Sequence, residues 1–246
     1  MSYKLELNPN YKHFQDKLID IKTIFKTNTK SIHKARNELK TISIYDTNTV
    51  VKAYKIPNLL NQFVYAYIRK SKPYKAFHNA RKLQELHINT PEAIGYIEFF
   101  HFGLLQESFF ISKEFAYDFT MAHIRDQQPP YKQQLLQEFA HFAYDLHSKG
   151  VWHADFSGGN VLIKKEANSY NFSIVDINRM KFRPINGYEG LENFNKFWFN
   201  EDDLTTIAKE YATLASLDTQ KAVFEILKHD RVLKQKVLLK RKLKGK

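Results

Sequence analysis

The sequence predicts an α+β chain, with short strands gathered in its first half and helices dominating its second. Three observations carry that expectation. Leu39–Tyr45 and Thr49–Tyr54 are strand-like runs on either side of a turn at Asp46-Thr47-Asn48. Apolar residues recur at helical spacing in several stretches, most clearly Leu135, Phe139, Phe142 and Leu146. Between them, Val151 to Asp176 reads as a Gly-Gly loop flanked by short apolar runs rather than as either regular element.

Taken in order, Phe14, Leu18, Ile21 and Phe25 make Tyr11 to Lys26 one amphipathic helix. The Leu39–Tyr54 hairpin follows, with Lys52 on its second strand. Lys55, three residues on, falls on the opposite face. Leu59, Leu60, Phe63, Val64, Tyr67 and Ile68 form a second helical stripe, with Arg69, Lys70, Lys72 and Lys75 directly after it. Such a stripe normally faces a core; bordered by cations, it also suits an anionic membrane interface. Pro73 opens a helix through Leu86, with Phe77, Ala80 and Leu83 on one side. Strands are expected at Ala93–Phe100 and Glu107–Ser112. Helices are expected at Gln134–Leu146, stopped by Lys149-Gly150, at Leu204–Leu217 and at Thr219–Leu227. The basic stretch Lys234–Lys246 reads as a disordered or surface-bound terminus.

With 246 residues, 43% of them apolar, the chain has ample material for one compact unit or two small lobes. It has no cysteine, which excludes disulfides and thiolate metal sites and fits a reducing cytoplasm. No run approaches the roughly 20 apolar residues of a membrane span, and MSYKLELNPNYK lacks a signal-peptide core. A soluble protein is expected. The formal charge of +12 favours anionic partners without choosing among nucleic acid, lipid head groups and phosphorylated substrates.

The chemistry concentrates in VWHADFSGGNVLIKKEANSYNFSIVD. His153, Asp155 and Asn160 stand in the spacing H-x-D-x-x-x-x-N. Val161-Leu162-Ile163 leaves the loop and Phe172–Val175 arrives at Asp176, with the polar turn Lys164–Asn171 between. Two paired strands there would bring Asp176 back beside Asn160. Two carboxylates and a carboxamide so gathered suit Mg²⁺ on a phosphate chain and the steering of a hydroxyl, because Mg²⁺ takes hard oxygen ligands and keeps several waters. One aspartate alone would serve equally as a turn or helix cap.

HADFSGGNVLI followed by VDINRMKF resembles the catalytic and metal loops of the protein-kinase-like superfamily. With RNELK, VVKAYKIPNLLNQ and INTPEAIGYIE upstream, the chain resembles more narrowly the lipopolysaccharide kinase (Kdo/WaaP) family, over roughly Lys34 to Tyr211. The resemblance implies a two-lobed protein-kinase-like fold. Residues 1–114 would form the N-terminal lobe (N-terminal helix, antiparallel sheet, C-like helix) and 115–246 a mainly helical catalytic lobe with a basic tail. It implies an ATP- and Mg²⁺-dependent phosphotransferase whose acceptor is a Kdo or heptose hydroxyl of the lipopolysaccharide core. In that reading Asp155 is the catalytic base, Asn160 and Asp176 hold Mg²⁺ and ATP, and Lys52, favoured over Lys55, steadies the phosphates. His153 supports the loop, and Lys113–Tyr117 is the adenine-binding hinge. Arg179, Lys181 and Arg183 would neutralise an anionic acceptor, or form a solvated basic loop. The implied location is the cytoplasm, with peripheral contact to the inner face of the cytoplasmic membrane.

Two features depart from the kinase pattern. No glycine precedes Gly95, so the glycine-rich loop is missing, and backbone amides around Arg36–Glu38 are the remaining candidates to cover phosphate. No acid stands at Ala76–His78 to pair with Lys52; Glu85 lies two turns later. A pseudokinase acting as a membrane-surface binding module, or a protein serine/threonine kinase, are the alternatives. Nucleic acid is not expected as a partner, because the basic residues scatter and follow no stacking platform.

Overall fold

A computed structural model describes residues 2–29, 31–34, 37–125 and 127–243. The chain divides into two compact units, Met1–Phe115 and Ala116–Lys246. The first unit runs β1 (Ser2–Leu7), α1 (Gln15–Ile19), α2 (Ile21–Thr27), β2 (Ser31–Lys34), β3 (Glu38–Ile44), β4 (Thr47–Tyr54), α3 (Leu59–Tyr67), α4 (Lys72–Glu85), β5 (Ala93–His101) and β6 (Leu104–Lys113). Its strands form one antiparallel sheet in the order β1-β5-β6-β4-β3-β2.

The expected helix over Tyr11–Lys26 is broken. A 3-10 turn at Pro9–Phe14 leads into α1, and Asp20, in a non-helical conformation, separates α1 from α2. The Asp20 N–H still closes α1 on the Asp16 carbonyl, while its side chain caps neither helix. The stripe survives the break. Phe14, Leu18, Ile21 and Phe25 are all buried against Ile42, Ile44, Val51, Ile97 and Phe109 of the sheet. On α4, Phe77, Ala80 and Leu83 are fully buried, and Phe77 packs on Tyr96 of β5. Strand β5 is therefore covered on both faces. Strand β1, which sequence reading left unassigned, pairs along it, and a Cβ on Gly95 would lie 2.8 Å from the Glu6 carbonyl oxygen. The β3–β4 turn is tighter than expected, with Tyr45-Asp46 closing the hairpin at Ile44 opposite Thr47.

The second unit runs β7 (Phe119–Thr120), α5 (Met121–Arg125), α6 (Lys132–Ser148), β8 (Val151–His153), β9 (Val161–Lys165), β10 (Tyr170–Ile174), β11 (Met180–Phe182), α7 (Gly187–Glu192), α8 (Glu201–Leu214) and α9 (Thr219–Leu243). Its core centres on Phe139 of α6, whose ring meets Phe156, Phe172, Phe194 and Phe197 at 5.0–5.8 Å between centroids. Burial of these rings against α6 fixes both ends of the Val151–Asp176 segment. The basic stretch after Lys234 continues α9 as helix to Leu243, rather than trailing off; residues 244–246 lie outside the described residues. Among the described residues no helix is long and apolar enough to cross a membrane.

Candidate active site

The site in the second unit is built around one imidazole. Strand β8, paired with β11, delivers His153 to the loop almost fully buried. Its Nε2 lies 2.9 Å from the Val175 carbonyl oxygen, and its Nδ1 lies 3.1 Å from the Asp155 backbone nitrogen. A carbonyl only accepts and an amide N–H only donates, so the network assigns the proton to Nε2 and leaves the ring neutral. Burial works in the same direction, pushing the imidazole below its ordinary value against the opposing pull of the Val175 carbonyl, Asp176 and Asp155. One ring thus ties the Asp155 loop to the strand end before Asp176.

Asn160 makes the second tie. Its Nδ2 donates to the Asp155 carbonyl at 2.9 Å, which turns its Oδ1 the other way, and its own carbonyl takes the Val175 N–H at 3.0 Å. The β9–β10 hairpin therefore returns the chain beside Asn160, as the two apolar runs imply. Asp176 follows in the left-handed region (φ 57°, ψ 43°), which Asp tolerates better than most residues. Asn178 donates to its Oδ1 at 2.7 Å. Gly158 is required where the loop crosses α5, since a Cβ would sit 2.7 Å from the Ala122 backbone; beside Gly159 there is open space.

Lys196 contacts Asp155 directly. Its Nζ lies 3.1 Å from Asp155 Oδ1 and 2.7 Å from the Ala154 carbonyl oxygen, both side chains being about one-third exposed. Sequence reading missed this lysine, because it arrives from a 3-10 turn, Asn193–Lys196, that nothing in the loop announces. Asn193, from the same turn, donates to the His153 carbonyl at 3.0 Å and meets His147 with its Oδ1 at 3.2 Å. Asn178, two residues beyond Asp176, had a readable signal, since a carboxamide at that offset can turn back onto the carboxylate.

Lys52 lies in the first unit, half-buried on β4 opposite Leu39 and Phe110, with Nζ 5.5 Å from the Tyr54 ring centroid. Lys55 falls beyond the end of that strand and is exposed. Of the backbone considered for phosphate, Arg36 lies outside the described residues and Glu38 is paired in β3. At the α4 position where kinases carry an acid, His78 faces Glu6 at 3.2 Å, and Glu85 is exposed at the helix end. Arg183 is engaged by Glu189 and lies over Trp152 at 5.4 Å, whereas Arg179 and Lys181 are exposed.

Among the described residues, no group of three or more His, Asp or Glu side chains is placed to hold a metal by itself. Asp176 and Asn160 offer one carboxylate and one carboxamide oxygen. Those are hard donors of the kind Mg²⁺ takes when phosphate and water complete its shell, so the residues fit that ion.

The fold is shared with solved kinases. WaaP, solved in complex with acyl carrier protein, matches with a TM-score of 0.64 at 16% identity over 95% of this chain and 97% of that one. The Rio2 kinase–ADP/Mg²⁺–phosphoaspartate complex from Chaetomium thermophilum matches with a TM-score of 0.50 at 13% identity, over 90% of this chain and 69% of that one. Both support a two-lobed α+β kinase-like fold. No curated protein matches the chain by sequence. The family model described as "Lipopolysaccharide kinase (Kdo/WaaP) family" matches residues 45–221, from the β3–β4 turn into α9. With that span covering strands β4 to β6 of the sheet and the Asp155 loop, the chain belongs to the lipopolysaccharide kinase (Kdo/WaaP) family, phosphotransferases of the kinase class.

Proposed function

We propose that the chain transfers the γ-phosphoryl group of ATP to a sugar hydroxyl, Kdo or heptose, of the lipopolysaccharide core. The observation that carries this reading is the mutual bonding of the Asp155, Asn160 and Asp176 segments around a neutral, buried His153. Asp155 orients the acceptor hydroxyl and takes its proton. Lys196 holds Oδ1 of that carboxylate, which leaves Oδ2 to face the acceptor. Asn160 and Asp176 supply oxygen donors for Mg²⁺, and Lys52 supplies a compact positive charge for the nucleotide phosphates. When bound, Mg²⁺ neutralises charge developing on the phosphates. The protein's share is positioning and electrostatics, because phosphoryl transfer asks for little covalent work from side chains. A lipid-linked acceptor makes this a peripheral protein working from the cytoplasm.

Transfer of label from γ-labelled ATP with Mg²⁺ tests the reading, with lipopolysaccharide precursors and cytosolic protein offered as separate pools. Label is expected in the glycolipid pool. Asp155→Asn should lower it about 10³-fold while leaving Mg-ATP binding intact. Label in the protein pool would instead make the chain a protein kinase. No transfer and no Mg-ATP binding would make it a binding module that kept the loop.

A further inference from the structure

Helix α3 is built inside out. Its apolar residues stand at the spacing of a core-facing helix, yet Leu59 and Leu60 are each 73% exposed, Tyr67 65% and Phe63 49%. Its buried residue is Gln62, which donates to the Pro57 carbonyl at 2.9 Å and accepts from Gln106 of β6 at 2.9 Å. That polar pair pins the helix against rotation, so the apolar side is held outward. Beside it the β5–β6 hairpin turns through Phe102 and Gly103, both with positive φ (47° and 73°). A turn of that kind favours Asn-Gly. Phe102 is 91% exposed there, where folding alone gains nothing from an aromatic ring. The Tyr67 hydroxyl rests against Gly103, so hairpin tip and helix make one continuous apolar surface.

The exposed charges that flank α3 have one sign. No acidic residue occurs between Asp46 and Glu85, and Lys55, Arg69 and Lys70 are exposed at either end of α3. Of the acids on the neighbouring strands, Glu107 pairs with Lys22 at 2.9 Å, and Glu98 is buried beneath the surface, bonded to Ser71 and in the field of Lys70. A cavity of about 550 Å³ opens at the base of the helix, lined by Lys55, Asn58, Asn61, Tyr65, Ser71 and Lys72 among others. Ser71 caps the N-terminus of α4 there and is itself bonded to the buried Glu98. Nucleic acid would account for the cations but not for the unstacked aliphatic face. A phospholipid leaflet accounts for both, with an apolar boundary for Leu and Phe and a phosphate layer for the lysines.

We propose that α3 and the Phe102 tip form a docking face for an anionic membrane. Leu59, Leu60, Phe63, Tyr67 and Phe102 enter the boundary between head groups and acyl chains, and the exposed Lys55, Arg69 and Lys70 meet the phosphate layer. This face stands independently of the acceptor assigned above, and its test needs no nucleotide. The full chain is sedimented at physiological ionic strength with phosphatidylcholine vesicles, with or without phosphatidylglycerol. Binding should be at least about tenfold tighter to the anionic vesicles, and weakened by at least about tenfold in Leu59→Gln/Leu60→Gln. Phe102→Asn should also weaken it without lowering the unfolding temperature, because Asn suits the left-handed turn. Lys55→Gln should reduce the anionic preference. Equal binding to both vesicles, or variants that bind like wild type, would overturn the proposal. So would a vesicle-inert chain whose α3 face instead mediates self-association, or binds an acidic soluble protein, in a way the same variants abolish.

Discussion

Helix α6 in the second unit and helix α3 in the first carry the same sequence signal and use it in opposite directions. On α6 the periodic residues Leu135, Phe139 and Leu146 are buried, and even Lys132 goes inside, where its Nζ meets Asp203 of α8 at 2.8 Å. On α3 every periodic residue but the half-buried Val64 is exposed, and a glutamine goes in. Periodicity reports that a helix has an apolar side. What that side meets depends on elements far along the chain.

The largest expected effect that sharpens this contrast lies at the α6–α8 ion pair. Its two side chains are almost fully buried and meet as charges without a well-aligned hydrogen bond. Asp203→Ala leaves the lysine charge uncompensated and should cost about 3–5 kcal/mol in urea unfolding. Lys132→Met/Asp203→Leu should recover most of that loss. If Asp203→Ala unfolds like wild type, the second unit is looser than its burial implies.

A smaller effect follows from acid. Burial pushes His147 of α6 from its ordinary 6.5 down to about 4, with Asn193 and Glu189 pulling weakly the other way. Between those values the unfolded chain binds a proton that the folded chain refuses. The neutral histidine's contribution is therefore complete above pH 6.5 and lost as pH falls towards 4, about 3 kcal/mol in all. His153, also lowered by burial, adds in the same direction. Urea midpoints at pH 7 and pH 4.5 should differ markedly in wild type and less in His147→Gln.

The smallest effect belongs to α3. Because Leu59 and Leu60 make no core, Leu59→Gln/Leu60→Gln should change stability by no more than about 0.5 kcal/mol. A loss above about 2 kcal/mol would return the stripe to the core and erase the contrast.

Several features were legible because their causes are local. The four-residue stripe from Phe14 to Phe25 is buried although its helix breaks at Asp20, since apolar spacing tolerates a kink. Asp155 and Asn160 lie close enough in the chain for a side chain to reach a backbone carbonyl, and two short runs are enough to foretell the β9–β10 hairpin. Other features had no local cause. Strand β1 is an edge strand, mostly exposed at its start, and exists because β5 offers it a partner. The basic C-terminal stretch is helical as a continuation of α9, whose Ala222 and Ile226 are buried. Lys196 and Asn193 reach the Asp155 loop only through the tertiary fold.

By itself the sequence determined the α+β class and the local frame of the Asp155 loop, because both are written in short-range spacing that steric and hydrogen-bonding rules translate directly, and its motifs carried the resemblance to the family. The tertiary structure alone decided which apolar stripe is core and which is surface, and which cation stands beside Asp155. Burial and charge pairing are properties of what packs against a residue, and for Leu59 and for Asp155 those neighbours come from distant parts of the chain, Gln106 of β6 beneath α3 and Lys196.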